Sequence, residues 1–285
     1  MNTAFAVPLF QGLASGAGAR SAAWLRPLTG ADEMLLSETP GLPAEHVTAL
    51  LAAATLRIGD AAPVTSEMIR ELGVGDRERL LLALAAATFG PDLDVVGRCQ
   101  RPDCGELVEL PVSIPELARL PEGDTGDGDR ELAVQTADGM RRVRFRLPSG
   151  GDQEEAARLA RIDAAAAARR LLARCVLSIR DEQDNDLAIG DLPPEIAPAI
   201  EEAMSALDPW VEMTCELPCP ACGWTVGAVL DAFSLLASGL AVADRLYAEI
   251  DAVARAYHWS EAEILSLPIA RRRRYLALIG AMAAP

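Results

Sequence analysis

Two short segments, "CQRPDCG" ending in Cys104-Gly105 and "CPACG" ending in Cys222-Gly223, each set two cysteines across a tight turn and follow the second with glycine. Glycine supplies the positive φ angle that such a turn commonly needs. Strand-like sequence adjoins each segment, "ELVELPVSI" after the first and "WTVGAVL" after the second. Four thiolates drawn from two such turns can surround a zinc ion tetrahedrally at bond lengths of about 2.3 Å. Such a site has no open position, so it is structural, and its binding free energy becomes folding free energy. Cys99, Cys104, Cys219 and Cys222 are therefore the candidate zinc ligands. The constraint on the fold is topological: residues 110–210 must leave the zinc-bearing sheet and rejoin it.

Composition bounds the rest. A chain of 285 residues with 51% hydrophobic content can bury a substantial core, and 4% aromatics beside alanine runs such as "DAAAAARRLLA" favour close-packed helices. A net charge of −16 argues against a nucleic-acid surface, which needs clustered Lys and Arg, but is compatible with a basic protein partner. The first basic residue is Arg20, so the N-terminus lacks the charged start of a secretory signal, and Asp231 interrupts the nearly uncharged stretch 225–243, so no membrane span is expected. A soluble cytoplasmic protein follows, in which six cysteines serve as metal ligands or core thiols rather than disulfides.

Helical signals fill the first third. Thr29 caps "LTGADEMLL", and "GDRERLLLALAAATFGP" runs from a capping Asp76 to a Gly90-Pro91 stop. "ELAVQTADGMRRVRFRL" is a hairpin around Asp138-Gly139, a register that pairs Val134 with Val143 and Leu132 with Phe145 and puts Arg142, Arg144 and Arg146 on the opposite face. A long helix then starts at Asp152, with Glu155 three residues on, and carries Cys175 as a buried small hydrophobe near its end. "PPEIAPAIEEAMSALDP" is a further helix. Ser260 and Glu263 have capping-box spacing, flanked by Trp259 and Ile264 as a hydrophobic staple, and Pro268 opens a closing helix with Ile269, Leu276 and Ile279 on one side. No internal repeat is apparent.

The expected fold is thus α+β and mainly helical, a helical bundle with a small antiparallel β module carrying a zinc-ribbon-like four-cysteine site. Its expected regions are 1–95 (helical), 96–150 (first knuckle and hairpin), 151–208 (inserted helices), 209–232 (second knuckle and strands) and 233–285 (C-terminal helices).

Other chemistry is sparse. His46 and His258 are isolated and expected in packing or surface roles, no nucleophile elbow, phosphate loop or dinucleotide fingerprint occurs, and the many acidic residues lie on helix faces where solvation is the default. An enzyme is not expected. Cys215 extends the second pair to "CELPCPAC", a C-x(3)-C-x(2)-C run such as radical-SAM enzymes use for an iron–sulfur cluster; the competing reading makes "VEMTCEL" a strand with Val211, Met213 and Cys215 on a buried face. A zinc-ribbon regulator that binds nucleic acid is the other alternative, disfavoured by the charge.

The order "RPLTGADEMLL", "CQRPDCGELVEL", "VRFRLPSGGDQEEAA", "CPACG" with "DAFSLL", and "YHWSEAEILSLPIARRRRYLALI" resembles baseplate-hub proteins and hub-assembly chaperones of contractile phage tails and phage-tail-like contractile injection systems. The resemblance spans most of residues 23–280. It implies a non-enzymatic role in building a tail-like particle in the cytoplasm, with baseplate or hub subunits as partners. Metal binding is not implied by it, because relatives without cysteine knuckles exist. In the closing segment, Arg271 to Arg274 are a candidate docking surface.

Overall fold

The computed structural model describes residues 4–13, 22–119, 129–188, 195–211 and 213–283. The chain runs β1 (Phe5–Pro8), β2 (Ala22–Leu25), α1 (Gly30–Glu38), α2 (Pro43–Ala54), β3 (Thr55–Ile58), α3 (Ser66–Glu71), α4 (Val74–Phe89), β4 (Asp92–Arg98), β5 (Leu107–Ser113) and α5 (Ile114–Leu117). It continues through β6 (Arg130–Thr136), β7 (Gly139–Phe145), α6 (Gly150–Ala160), α7 (Ala164–Cys175), β8 (Val176–Arg180), β9 (Asp186–Leu187) and α8 (Ile196–Leu207). The last part comprises β10 (Met213–Pro218), β11 (Thr225–Leu230), α9 (Ala232–Gly239), α10 (Ala243–Tyr257), α11 (Glu261–Leu265) and α12 (Ile269–Ala283). The fold is α+β, with small antiparallel sheets ordered β1-β2-β3, β4-β5, β6-β7-β8-β9 and β10-β11. No helix among the described residues is long and apolar enough to cross a membrane.

The first third is not purely helical. Strands β1 to β3 are four residues each, too short to show a period in the sequence, yet Ala23, Leu25 and Ile58 are buried in the main core.

At the centre lies α4, whose residues 74–82 are all buried, as a helix surrounded there by other elements must be. Its first turns carry four consecutive charged residues, Asp76, Arg77, Glu78 and Arg79, all buried. Asp76 does not cap its own helix. Gly73 is the N-cap, and the freed N–H groups at the helix start go elsewhere: Gly75 N–H to Asp208 Oδ2 at 3.0 Å and Val74 N–H to Pro148 O at 3.1 Å. Asp76 is therefore free to accept the N–H groups of Phe10, Gln11 (2.9 Å) and Gly12 (2.8 Å), which fixes the segment after β1. Arg77 donates to Ala44 O at 2.8 Å, Glu78 accepts the Ala232 N–H at 3.0 Å, and Arg79 lies 4.9 Å over the Trp210 ring. Solvation is thus the wrong default for these carboxylates, which tie α9 and the N-terminal segment to α4, as Arg77 ties α2.

Three local expectations change in detail. The hairpin loop is Ala137-Asp138, with the positive φ of 106° taken by Gly139, so Leu132 pairs with Val143 and Val134 with Arg141. The loop moves by one residue and the pairing by two, which leaves each side chain on its expected face. Arg142, Arg144 and Arg146 are spent inside the chain, on Asp184, Asp129 and Asp152. The single long helix is two, α6 and α7, because the Asp163 side chain accepts the Ala166 N–H at 2.9 Å and restarts the helix; Ser149, not Asp152, caps α6, and "VLSI" continues into β8. The "PPEIAP" helix forms as α8, although Pro193 and Pro194 lie outside the described residues.

Burial pushes the Glu78 carboxyl up to about 7 and the Asp208 carboxyl up to about 6. The folded chain therefore holds the Glu78 proton from the ordinary carboxylate range up to about pH 7, and this contribution to stability is present on the acid side and lost as pH rises through 7. Melting temperatures from pH 5 to 8 are expected to fall more steeply in the native chain than in Glu78→Gln; equal slopes would contradict the assignment.

Candidate metal centre

The two knuckles occupy the turns of two hairpins, β4–β5 and β10–β11. Inward residues Val95, Val108 and Leu110 of the first pack with Leu217, Val226 and Ala228 of the second. Gly97 lets them approach: a Cβ there would stand 3.1 Å from Leu110 Cδ1 and Val226 Cγ1, a contact already tight. Outward residues such as Val96 (61% exposed) and Val229 (78%) alternate with the buried ones, as period-2 strands require.

Each turn is built alike. Cys99 N–H bonds Glu106 O and Cys219 N–H bonds Trp224 O, both at 2.8 Å, closing the base of each knuckle. Gly105 has φ 66° and Gly223 φ 72°, the left-handed conformation expected of both. Backbone N–H groups point at sulfur: those of Arg101, Glu106 and Trp224 reach Cys99, Cys104 and Cys222. The module thereby brings together Cys99, Cys104, Cys219 and Cys222, with all four Sγ atoms within 4.8 Å of one another. Contacts cross between knuckles, Cys99 to Cys222 at 3.6 Å and Cys104 to Cys219 at 3.8 Å.

These separations decide between two chemistries. A disulfide needs about 2.05 Å between sulfurs, and all six cysteines are free. A tetrahedron with about 2.3 Å metal–sulfur bonds has edges of about 3.8 Å, and the two crossing contacts of 3.6 and 3.8 Å match it. The thiols also titrate unequally. The Trp224 N–H, with help from the other sulfurs, brings Cys222 down to about 7. The Glu106 N–H lowers Cys104, but lost hydration and three neighbouring sulfurs outweigh it and push it up to about 12; in Cys99 the Arg101 N–H is likewise outweighed and the thiol is raised. If all four are deprotonated, a cation must balance them, and a donor set of four sulfurs would suit zinc.

Cys215 is not part of the cluster. It sits in β10 opposite Ala228, packed into the hairpin sandwich, so "CELPCPAC" is not gathered at one point. The expected strand begins at Met213, which is buried, and Val211 is 44% exposed outside it. Cys175 is a core thiol that burial raises to about 11. His46 bonds Thr39 O at 2.9 Å, and His258, with φ 58°, ends α10. Of the closing arginines, Arg271 and Arg274 are exposed, but Arg272 is fully buried between Glu33 and Glu249 and Arg273 donates to Gly239 O. A four-arginine docking surface is thus reduced to two residues, because α12 packs on α1, α10 and α4.

Fold and cluster define a class: an α+β protein in which two hairpin tips bring four thiols within 4.8 Å of one another. Residues 24–234, which include both knuckles, match the family model described as T4 bacteriophage base plate protein, and the chain belongs to that family. No curated protein and no solved structure matches the chain. Helices α10 to α12, with the "WSEAEILSLP" segment, lie beyond the matched residues.

A valine forced into the left-handed conformation costs roughly 1–2 kcal/mol, about tenfold in affinity. Gly105→Val and Gly223→Val are each expected to weaken metal binding about tenfold in competition with a chromophoric chelator. Unchanged affinity in both would contradict the knuckle geometry.

Proposed function

We propose that this chain is a non-enzymatic assembly or structural subunit of a contractile phage-tail-like particle, a baseplate-hub chaperone or component, stabilised by zinc on Cys99, Cys104, Cys219 and Cys222. The observation that carries it is the family match over residues 24–234, which supports a structural or assembly role in a phage tail. The zinc reading rests on the four-sulfur geometry. Against a catalytic role stands the use made of the buried charges: Asp76, Glu78, Asp208, Glu33 and Glu154 bond backbone N–H groups or arginines that join elements, rather than lining a cleft.

The partner reading follows from surface chemistry. Beside the cluster an open groove of about 590 Å³ is lined by Val96, Leu107, Val108, Glu109, Leu217 and Pro218, with Asp92 and Asp94 exposed on the same face of β4 as Val96. Apolar side chains beside Glu109, with Asp92 and Asp94 at one end of this face and Arg98 at the knuckle end, suit a base plate subunit that offers an apolar anchor next to Lys or Arg. The zinc-ribbon regulator is not favoured, since the chain's net charge of −16 opposes phosphate contacts.

One measurement tests the proposal and a second tests the buried tie at Arg272. Full-length protein is expected to capture purified base plate subunits of the same particle, and Val96→Glu combined with Leu107→Glu to lose them while keeping its metal content. Equal capture by the variant would remove the groove as the docking site, and no capture by either would remove the assembly role. Arg272→Ala leaves Glu33 and Glu249 without their buried partner, a loss of about 3–5 kcal/mol, so its melting temperature is expected to drop sharply while Arg271→Ala changes little. Equal melting temperatures would mean that Arg272 is not a structural tie.

A further inference from the structure

Two turns far apart in the chain are built from one pattern, "RPLTGAD" from Arg26 to Asp32 and "RLPSGGD" from Arg146 to Asp152. In each, the arginine binds the aspartate at 2.6 Å, and the aspartate accepts the N-cap N–H, from Thr29 at 2.8 Å and from Ser149 at 2.9 Å. The likeness extends into the sheets. Strand β2 pairs with β3 through Ala23–Ile58 and shifts register between Trp24 and Leu25; β7 pairs with β8 through Val143–Ile179 and shifts between Arg144 and Phe145. Arg26 N–H bonds Ala54 O at 3.0 Å, and Arg146 N–H bonds Cys175 O at 2.9 Å. The segments β1-β2-α1-α2-β3 and β6-β7-α6-α7-β8 are thus the same motif in the same order.

A second pair of segments matches as closely. Thr65 caps α3 through Met68 N–H, and Ser260 caps α11 through Glu263 N–H, both at 3.3 Å. From those caps, Ile69 and Ile264 fall at one spacing and are fully buried, and Arg77 and Arg272 fall at another and are also fully buried. So α3-α4 corresponds to α11-α12.

The turns and the helix pairs meet crosswise. Gly150 N–H bonds Leu72 O at 2.9 Å and Val74 N–H bonds Pro148 O at 3.1 Å, so the second turn docks on the first helix pair. Gly30 N–H bonds Leu267 O at 3.4 Å and Ile269 N–H bonds Leu28 O at 2.9 Å, so the first turn docks on the second pair. Glycine is required at both contacts: a Cβ at Gly30 would stand 2.7 Å from Arg272 Nη1, and one at Gly150 would overlap Arg77 Nη1. The sequence shows no repeat because the shared positions are few and sparse.

We infer that the chain is an internal duplication folded as an exchanged pair, in which residues up to 119 and residues from 129 onward each supply the Arg-x-x-(Ser/Thr)-Gly-x-Asp turn that completes the other's helix pair. Two equivalent clasps, each a two-way backbone pairing over a buried arginine, join the halves as in an exchanged dimer with its two chains joined, beside the shared core and the α4 contacts to Asp208 and Ala232. The four-sulfur cluster is a further tie across the same boundary, since Cys99 and Cys104 belong to one half and Cys219 and Cys222 to the other. That sulfur tie rests on the proposed zinc site; the clasps do not.

The test inserts a protease site between Arg119 and Asp129 of the full chain and cuts the folded protein. Both fragments are expected to co-elute at the mass of the intact chain, and to keep doing so after chelation. Separation on cutting alone overturns the inference; separation only on chelation shows that metal, not the clasps, joins the halves, which overturns the clasps and leaves the metal reading standing. A second measurement needs no variant. In the uncut chain, the amides of Gly30, Val74, Gly150 and Ile269 are expected to exchange with solvent only on global unfolding. Fast exchange at either clasp, with the other protected, overturns their equivalence.

Discussion

The charged start of α4 is the contact on which the rest of the structure depends. Four consecutive charged side chains leave a helix in all directions, so burying them calls on several neighbouring segments at once, and even so Arg77 and Arg79 each keep two buried nitrogens without a hydrogen-bond partner. The N-terminal segment answers Asp76, α2 answers Arg77, α9 answers Glu78 and Trp210 answers Arg79. Burial without such answers is costly, since removing one partner of a buried charge leaves an uncompensated ion worth several kcal/mol. The shifts record the strain of this arrangement: burial lowers Arg77 to about 10 and raises Glu78 and Asp208. In return, α4 admits few alternative neighbours, which is how buried polar groups can specify a single packing.

The cysteine module has a different logic. Its two hairpins are short and amphipathic, and two-stranded hairpins are marginal alone. Packing Val95, Leu110 and Val226 between them supplies a small core, and a metal at the tips would supply the free energy such a core lacks. Placing the site where the chain leaves and rejoins the module turns a local cross-link into a long-range one.

How much of this was legible varies by residue. The knuckles were, because Gly105 and Gly223 follow cysteine at turns and strands flank them, so local chemistry and tertiary site coincide. The caps at Thr29 and Ser260 were, for the same local reason. The hairpin's faces were legible but its register was not, since Asp138-Gly139 and Ala137-Asp138 loops preserve the same alternation. Asp76 was misread because a carboxylate near a helix start is a cap by default, and only the distant Asp208 and Pro148 make that cap unnecessary. Arg272 was misread because a run of four arginines looks solvated, and the acids that bury it lie on α1 and α10.

The central claim is that four thiolates close one metal site between two base-plate-family hairpins. X-ray absorption at the metal edge, on protein purified without metal-affinity resin, tests it most directly. The account predicts zinc with a single shell of four sulfurs at about 2.3 Å. Iron, or a zinc shell with nitrogen or oxygen in place of any sulfur, would contradict it.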